Sequence, residues 1–185
     1  MTGYVALVLA AGRATRFGSD KLAALLDGAP LLHHAIRAAR AAPVDKVIVV
    51  TRPDARQGDW NGPPPVTVLP VASTALSTSL KAGIAACGDA AGAFVFLGDM
   101  PRIPHTLAAQ LATAIGDGYA AVPCHEGQPG HPVLLSARAF ADIAGLQGDR
   151  GAVRLLSARN DVVRIACADP AILFDVDRPE DLPAP

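Results

Sequence analysis

Short, wholly apolar runs alternate along the chain with stretches whose apolar residues recur at helical spacing, and glycine and proline punctuate the joins. Val5–Ala10 is a continuous apolar run of the kind that forms a strand buried on both faces. A glycine-bearing loop follows, and Pro30 opens a predicted helix whose apolar positions include Leu31, Leu32, Ala35 and Ile36. Further strands are predicted over Lys46–Thr51, Val66–Leu69, Ala93–Leu97, Tyr119–Pro123, His131–Leu135 and Val162–Cys167. Helices are predicted over Thr78–Cys87, Pro104–Ile115, Ala137–Ala144 and Arg150–Arg159. The Pro53–Pro65 connection holds the only tryptophan and is expected to be a mobile surface segment. This alternation predicts an α/β domain over the whole chain, 1–185, with a mainly parallel sheet and helices on both faces.

Open parallel sheets bind ligands beyond the carboxyl ends of their strands. The loop after the first strand contains Gly12 and Gly18, which free backbone N–H groups to face an anion, and Arg13, Arg16 and Lys21, which supply countercharge. A guanidinium forks across two phosphate oxygens while an ammonium acts as a point charge, so the set suits a nucleoside triphosphate. Neither common glycine loop accounts for it. Gly18 and Lys21 are separated by Ser19-Asp20, unlike a P-loop, and Ala11-Gly12-Arg13-Ala14 lacks the Gly-x-Gly of a dinucleotide site. Phe94-Val-Phe-Leu97 then runs into Gly98-Asp99, a strand-end carboxylate preceded by a glycine that lets another group approach. Asp99 is the first candidate ligand for a hard divalent cation that also takes phosphate oxygens. A second carboxylate is offered by Asp175-Val176-Asp177, where extended alternation puts both aspartates on one side. Asp181 is expected to cap a short terminal helix, a reading also open for Asp177.

Composition narrows the function classes. With 185 residues, 51% of them apolar, the chain can bury one sizeable core. A formal net charge of −1 gives no global field for holding nucleic acid, so anion affinity must come from local cations. No apolar run approaches the roughly 20 residues of a spanning helix, and the apolar amino-terminal segment lacks a basic leader region, so a cytoplasmic protein without membrane contact is expected. Cys87, Cys124 and Cys167 show no Cys-x-x-Cys spacing and read as small buried apolar residues, with Cys124 also open to an acceptor pocket.

The motif Leu9-Ala-Ala-Gly-x-x-x-Arg16-Phe-Gly-x-Asp-Lys21, followed by Gly28-x-Pro30-Leu-Leu32, resembles the amino-terminal signature of the nucleotidyltransferases related to MobA and MocA. Ser77-Thr-Ser-Leu-Lys-Ala-Gly83, Leu97-Gly-Asp-Met-Pro-Arg-Ile103, Gly127-x-x-Gly130-His-Pro-Val133, Gly148-Asp-Arg-Gly-Ala152 and Asp175-Val-Asp-Arg-Pro-Glu-Asp-Leu182 follow in the family's order. The resemblance implies a Rossmann-like, nucleotide-diphospho-sugar transferase-like fold. Leu-Ala-Ala-Gly with Gly-His-Pro-Val is similar to the cytidylyltransferase branch, which implies CTP rather than GTP and a Mg²⁺-dependent transfer of CMP to molybdopterin, with a molybdenum hydroxylase as recipient.

By the same resemblance, Leu9, Ala10, Ala11, Gly12, Arg13, Arg16, Lys21, Ser79 and Gly98 would hold the nucleotide, and Asp177 would complete the metal site with Asp99. Arg16 would stabilise leaving pyrophosphate, Lys21 would steady the α-phosphate and the attacking oxygen, and His131 and Arg150 would face the acceptor. The Ser77-Thr78-Ser79 cluster is expected just before a helix, as a cap or a base contact, and Asp149 is a simpler N-cap reading at Gly148–Gly151. Two positions depart from the family: Ala75 stands where glycine is usual, and Arg178 where threonine is usual. Alternatives are a guanylyltransferase, an NTP transferase using a sugar, isoprenoid or lactate phosphate, and a non-catalytic cofactor-delivery module.

Overall fold

The computed structural model describes residues 3–12, 17, 20–55, 58–72, 75–146 and 151–182. In chain order the elements are β1 (Tyr4–Ala10), a hairpin of β2 (Leu25–Leu26) and β3 (Ala29–Pro30), α1 (Leu31–Arg40), β4 (Val44–Thr51), β5 (Val66–Pro70), α2 (Leu76–Ala86) and β6 (Gly92–Leu97). There follow α3 (Leu107–Ala114), β7 (Ala120–His125), β8 (Gln128–Pro129), β9 (Val133–Ser136), α4 (Phe140–Ala144), α5 (Gly151–Ser157) and β10 (Val162–Ala166). The main sheet runs β10-β7-β9-β6-β1-β4-β5, with β8 paired to β7. Its pairs are parallel except those of β9 with β6 and β7 and of β8 with β7.

The two-residue period of β1 builds both cores. Ala6, Val8 and Ala10 pack with Leu32, Ile36 and Leu111 of α1 and α3, while Val5, Leu7 and Leu9 pack with Leu80, Ile84 and Ile143 of α2 and α4. Register then sets the site. Ala10 pairs with Thr51 and Leu9 with Leu97, so the carboxyl ends of β1, β4 and β6 are level and deliver their loops to one edge. A smaller cluster of Phe17, Leu26, Leu31 and Val176 fastens the first loop and the hairpin to the carboxyl-terminal segment. Each such side chain contributes about 1.5–3 kcal/mol on burial, enough to hold a segment without regular structure.

Several expected boundaries shift for local reasons. Pro30 is not the first helical residue but the extended residue before it, because it pairs with Leu25 across the hairpin, whose turn places Asp27 and Gly28 at positive φ. The helix of α2 starts at Leu76, so Ser77, Thr78 and Ser79 lie within its first turn rather than before it. On β9 the ladder begins at Val133, since the N–H of His131 donates to Ile172 O at 3.0 Å and Pro132 has none to offer. The α3 helix begins at Leu107, after a turn in which the Leu107 N–H donates to Pro104 O. The described part of the Pro53–Pro65 connection is tied down, contrary to expectation. Arg40 Nη2 donates to the carbonyls of Asn61, Gly62 and Pro63 at 2.8, 2.9 and 3.3 Å, and Trp60 stands edge-on to His33.

Candidate active site

Lys21 lies in a single 3-10 turn at the end of the first loop and is 8% exposed. A buried ammonium needs partners. Its Nζ donates to Asp99 Oδ2 at 2.8 Å and stands 3.5 Å from Asp177 Oδ1. These two carboxylates meet because the Val176 N–H donates to Asp99 O at 3.0 Å, while the Val176 side chain is buried in the small cluster. Alternation turns Asp177 outward beside Asp99, and Asp175 joins the field. Partial desolvation first, then the charges of Asp177 and Asp99, push the Asp175 carboxyl above its ordinary range.

A cavity of about 300 Å³ opens above this group, lined by Leu9, Ala10, Ala11, Gly12, Lys21, Ser79, Asp99 and Asp177 among others. Gly12 lines the cavity and has open space where a Cβ would stand. Gly98 packs against β1. Its N–H donates to Leu9 O at 2.9 Å, and an added Cβ would lie 3.1 Å from Ala10 Cβ, so the close approach it permits is that of β1 itself. Ser79 is buried, and its hydroxyl donates back to Ala75 O at 3.3 Å within the helix. Arg13, Arg16 and Arg150 lie outside the described residues, as does Asp149.

Arg52, which the sequence pattern did not single out, also lines the cavity. It follows the end of β4, with Nη2 3.5 Å from Asp20 Oδ1. Applying the strand-end rule to β4 as well as to β1 and β6 would have found it. Asp181 is the cap it was expected to be, its Oδ2 accepting from the N–H groups of Asp177 and Arg178 at 2.8 Å each. Arg178 pairs with Glu180 at the surface.

His131 is not in this cavity. It lines a second, largely apolar one of about 220 Å³ that shares Leu9, Leu76 and Leu97 with the first. Its Nδ1 lies 3.3 Å from Val95 O, and burial lowers its basicity more than that carbonyl and the Asp99 charge restore it. Cys124 does not line either cavity. Cys87 is buried, and desolvation pushes its thiol up to about 11.

Among the described residues no group of three or more His, Cys, Asp or Glu is placed to hold a metal unaided. Two converging carboxylates do fit a hard cation that arrives with phosphate oxygens, since Mg²⁺ is commonly held by one or two carboxylates and its substrate. No helix among the described residues is long and apolar enough to cross a membrane.

Two carboxylates around one lysine, Asp99 just beyond β6 and Asp177 in the carboxyl-terminal segment, set beside a glycine-bearing loop on a mainly parallel sheet, mark a nucleotidyltransferase-type α/β domain. The chain belongs to the MobA-like NTP transferase domain family, which matches residues 6–163. It is 27% identical to the purine catabolism protein PucB of Bacillus subtilis (strain 168), over 96% of this chain and 93% of that protein. Over 55% of this chain and 47% of the relative it is 35% identical to 2-C-methyl-D-erythritol 4-phosphate cytidylyltransferase of Laribacter hongkongensis (strain HLHK9). The fold is that of Rv0371c from Mycobacterium tuberculosis H37Rv, at 25% identity and TM-score 0.84, covering 97% of this chain and 95% of that one. Rv0371c in complex with manganese also superposes, at 24% identity and TM-score 0.73, covering 90% and 89%.

Proposed function

We propose that the chain transfers CMP from CTP to molybdopterin and releases pyrophosphate, acting as one domain over 1–185 in the cytoplasm, with a molybdenum hydroxylase as recipient of the product. The observation that carries the nucleotidyl-transfer reading is the Lys21 ammonium held between Asp99 and Asp177 at the floor of the cavity bounded by Leu9–Gly12. The preference for CTP rests on the Leu9-Ala-Ala-Gly12 and Gly130-His-Pro-Val133 motifs, and the partial similarity to a cytidylyltransferase supports it.

In this reading an oxygen of the acceptor's terminal phosphate forms a bond to the α-phosphorus of CTP, and the bond from that phosphorus to the β-phosphate oxygen breaks. A phosphate monoester is already anionic at neutral pH, so no general base is needed. The chain's task is to hold two anions together and to steady the charge that builds on the leaving group. Lys21 would steady the α-phosphate and the attacking oxygen, Arg16 would stabilise the leaving pyrophosphate, and Arg13 would add to the contacts with the nucleotide. Asp99 and Asp177 would hold Mg²⁺, which when bound supplies positive charge shared by the phosphates. Manganese in Rv0371c supports a divalent ion in this fold. The short backbone of Ala10-Ala11-Gly12 leaves room for the base edge.

The test is thermal unfolding of the metal-free protein with CTP, GTP, ATP or UTP, each with and without Mg²⁺. A ligand at about 100 times its dissociation constant adds roughly 2.7 kcal/mol, a rise of several degrees in the midpoint. A Mg²⁺-dependent rise with CTP alone is expected. A preference for GTP moves the reading to guanylyl transfer, and no response to any nucleotide sinks it.

A further inference from the structure

We propose that Lys21 is the resident counter-ion of the metal site: its ammonium holds the carboxylates of Asp99 and Asp177 against a divalent cation, and yields them only when a nucleoside triphosphate offers it a phosphate. Metal and nucleotide then enter as a unit. This rests on the nucleotidyl-transfer reading above and adds to it the order in which the same site fills.

The competition follows from distance. Nζ of Lys21 donates to Asp99 Oδ2 at 2.8 Å and stands 3.5 Å from Asp177 Oδ1, so one ammonium engages the same two carboxylates that fit a hard cation. A metal held at about 2.1 Å by that Asp99 oxygen would lie at most about 5 Å from Nζ. The Lys21 and Asp99 side chains are 10% and 26% exposed, so little water screens the repulsion between like charges that close. A metal alone has little to set against it. Among the described residues no group of three or more His, Cys, Asp or Glu is placed to hold one, so two carboxylates by themselves must exchange a cation already hydrogen-bonded to Asp99.

The fold fixes the carboxylates and leaves the lysine stem as the part that can turn. The Val176 N–H donates to Asp99 O at 3.0 Å, and Asp181 Oδ2 accepts from the N–H groups of Asp177 and Arg178 at 2.8 Å each, which pins the backbone around the pair. The Lys21 backbone is held as well, since the N–H groups of Ala23 and Ala24 donate to Asp20 O and Lys21 O at 3.1 Å each. Its four-carbon stem lines the cavity of about 300 Å³ and can carry Nζ off the carboxylates by rotation alone. A buried ammonium does not leave one anion without meeting another. The triphosphate is that partner, and its oxygens are also the ligands the two carboxylates lack for a metal, so one arrival settles both charges. Lys21 thereby reaches the reacting phosphate only as Asp99 and Asp177 pass to the metal.

The experiment is titration of the full chain and of Lys21→Met with Mn²⁺, followed by calorimetry and by loss of the free-ion electron paramagnetic resonance signal, without nucleotide and with saturating CTP. Without nucleotide, Lys21→Met is expected to bind Mn²⁺ about tenfold or more tightly than the parent, the equivalent of one charged hydrogen bond no longer in competition. With CTP the advantage of the variant is expected to disappear, because Lys21 of the parent then has a phosphate. Lys21→Arg, which keeps the charge, is expected to stay as weak as the parent, and Asp99→Asn added to Lys21→Met is expected to abolish the gain. Equal Mn²⁺ affinity of parent and Lys21→Met without nucleotide, or a gain that survives Asp99→Asn, would overturn the proposal. In proteins that bind CTP, an advantage undiminished by it overturns it as well. Should Lys21→Met not fold, Lys21→Gln, which can still donate to Asp99, takes its place, and an affinity equal to the parent's overturns the proposal. The two readings fail separately. Tighter Mn²⁺ binding by Lys21→Met in a chain that binds no CTP keeps Lys21 as counter-ion and removes nucleotidyl transfer, whereas CTP binding with equal Mn²⁺ affinities removes the counter-ion role alone.

Discussion

The two cavities that meet at Leu9, Leu76 and Leu97 are built by opposite means. The first is a polar edge where the ends of β1, β4 and β6 come level, and it brings together the charges of Lys21, Asp99 and Asp177. The second is a hollow between the sheet and α2, α4 and α5, apolar but for the side chains of His131, Ser157 and Arg164 among the described residues. The difference teaches how one sheet can carry two kinds of space, one set by charge and one by shape. Charge must cluster at a point to act on a phosphate, and a strand end provides a point. Shape must be spread over many side chains, and only packed layers provide that.

Breaking the polar half has the largest expected effect. Lys21→Ala should lower nucleotidyl turnover about 10²–10³-fold while changing CTP affinity far less, because a preorganised cation acts mainly on charge that develops in the transition state. Steady-state kinetics alongside CTP titration checks this, and equal losses in both would remove Lys21 from that role. Asp99→Asn should follow, weakening apparent Mg²⁺ affinity by about tenfold to a hundredfold and removing the metal-dependent part of the CTP-induced rise in unfolding midpoint.

A pair of glycine variants sharpens the boundary between chemistry and scaffold. Gly98→Ala should destabilise the ligand-free protein by about 1–3 kcal/mol in urea unfolding, because its Cβ would crowd Ala10 and the Leu9 carbonyl. Gly12→Ala should leave that stability nearly unchanged and weaken CTP instead, since its Cβ meets nothing in the protein. If the two variants exchanged behaviour, the assignment of Gly98 to packing would be wrong.

The smallest effect is expected on the apolar side. His131 has its basicity lowered in the folded chain, chiefly by burial, so below its ordinary value of 6.5 the unfolded chain binds more protons than the folded one. Its contribution to stability is therefore present at neutral pH and is lost as pH falls below about 6.5. Unfolding free energies of the parent and His131→Gln across this range should converge toward acid pH, with at most one proton's worth of difference in slope. Parallel curves would mean that His131 protonates equally in both states.

Legibility followed the same division. The polar half could be read along the chain because each of its parts is a local segment: an apolar run ending in Leu9–Gly12, a strand ending in Gly98-Asp99, an alternation ending in Asp177. Arg52 was passed over because its surroundings carry no motif, and it matters only because β4 ends level with β1. The tethered loop around Trp60 looked mobile because composition carries no record of Arg40, whose guanidinium collects its carbonyls. Ser79 shows the limit at an element boundary, where a two-residue shift of the helix start turned an expected cap into a hydroxyl bonded within its own turn.

The sequence by itself determined the α/β alternation, the glycine- and cation-bearing loop after β1, the aspartates that follow Gly98 and Val176, and the family to which they point, because periodicity and short motifs are properties of contiguous residues. Tertiary structure alone decided that Asp99 and Asp177 share one lysine, that Gly98 lies against β1, and that residues of the sheet and of α2, α4 and α5 enclose a largely apolar cavity beside the charge. Those facts depend on the register of the sheet and on the Val176 anchor, and register is a relation between distant segments that no single stretch of chain encodes.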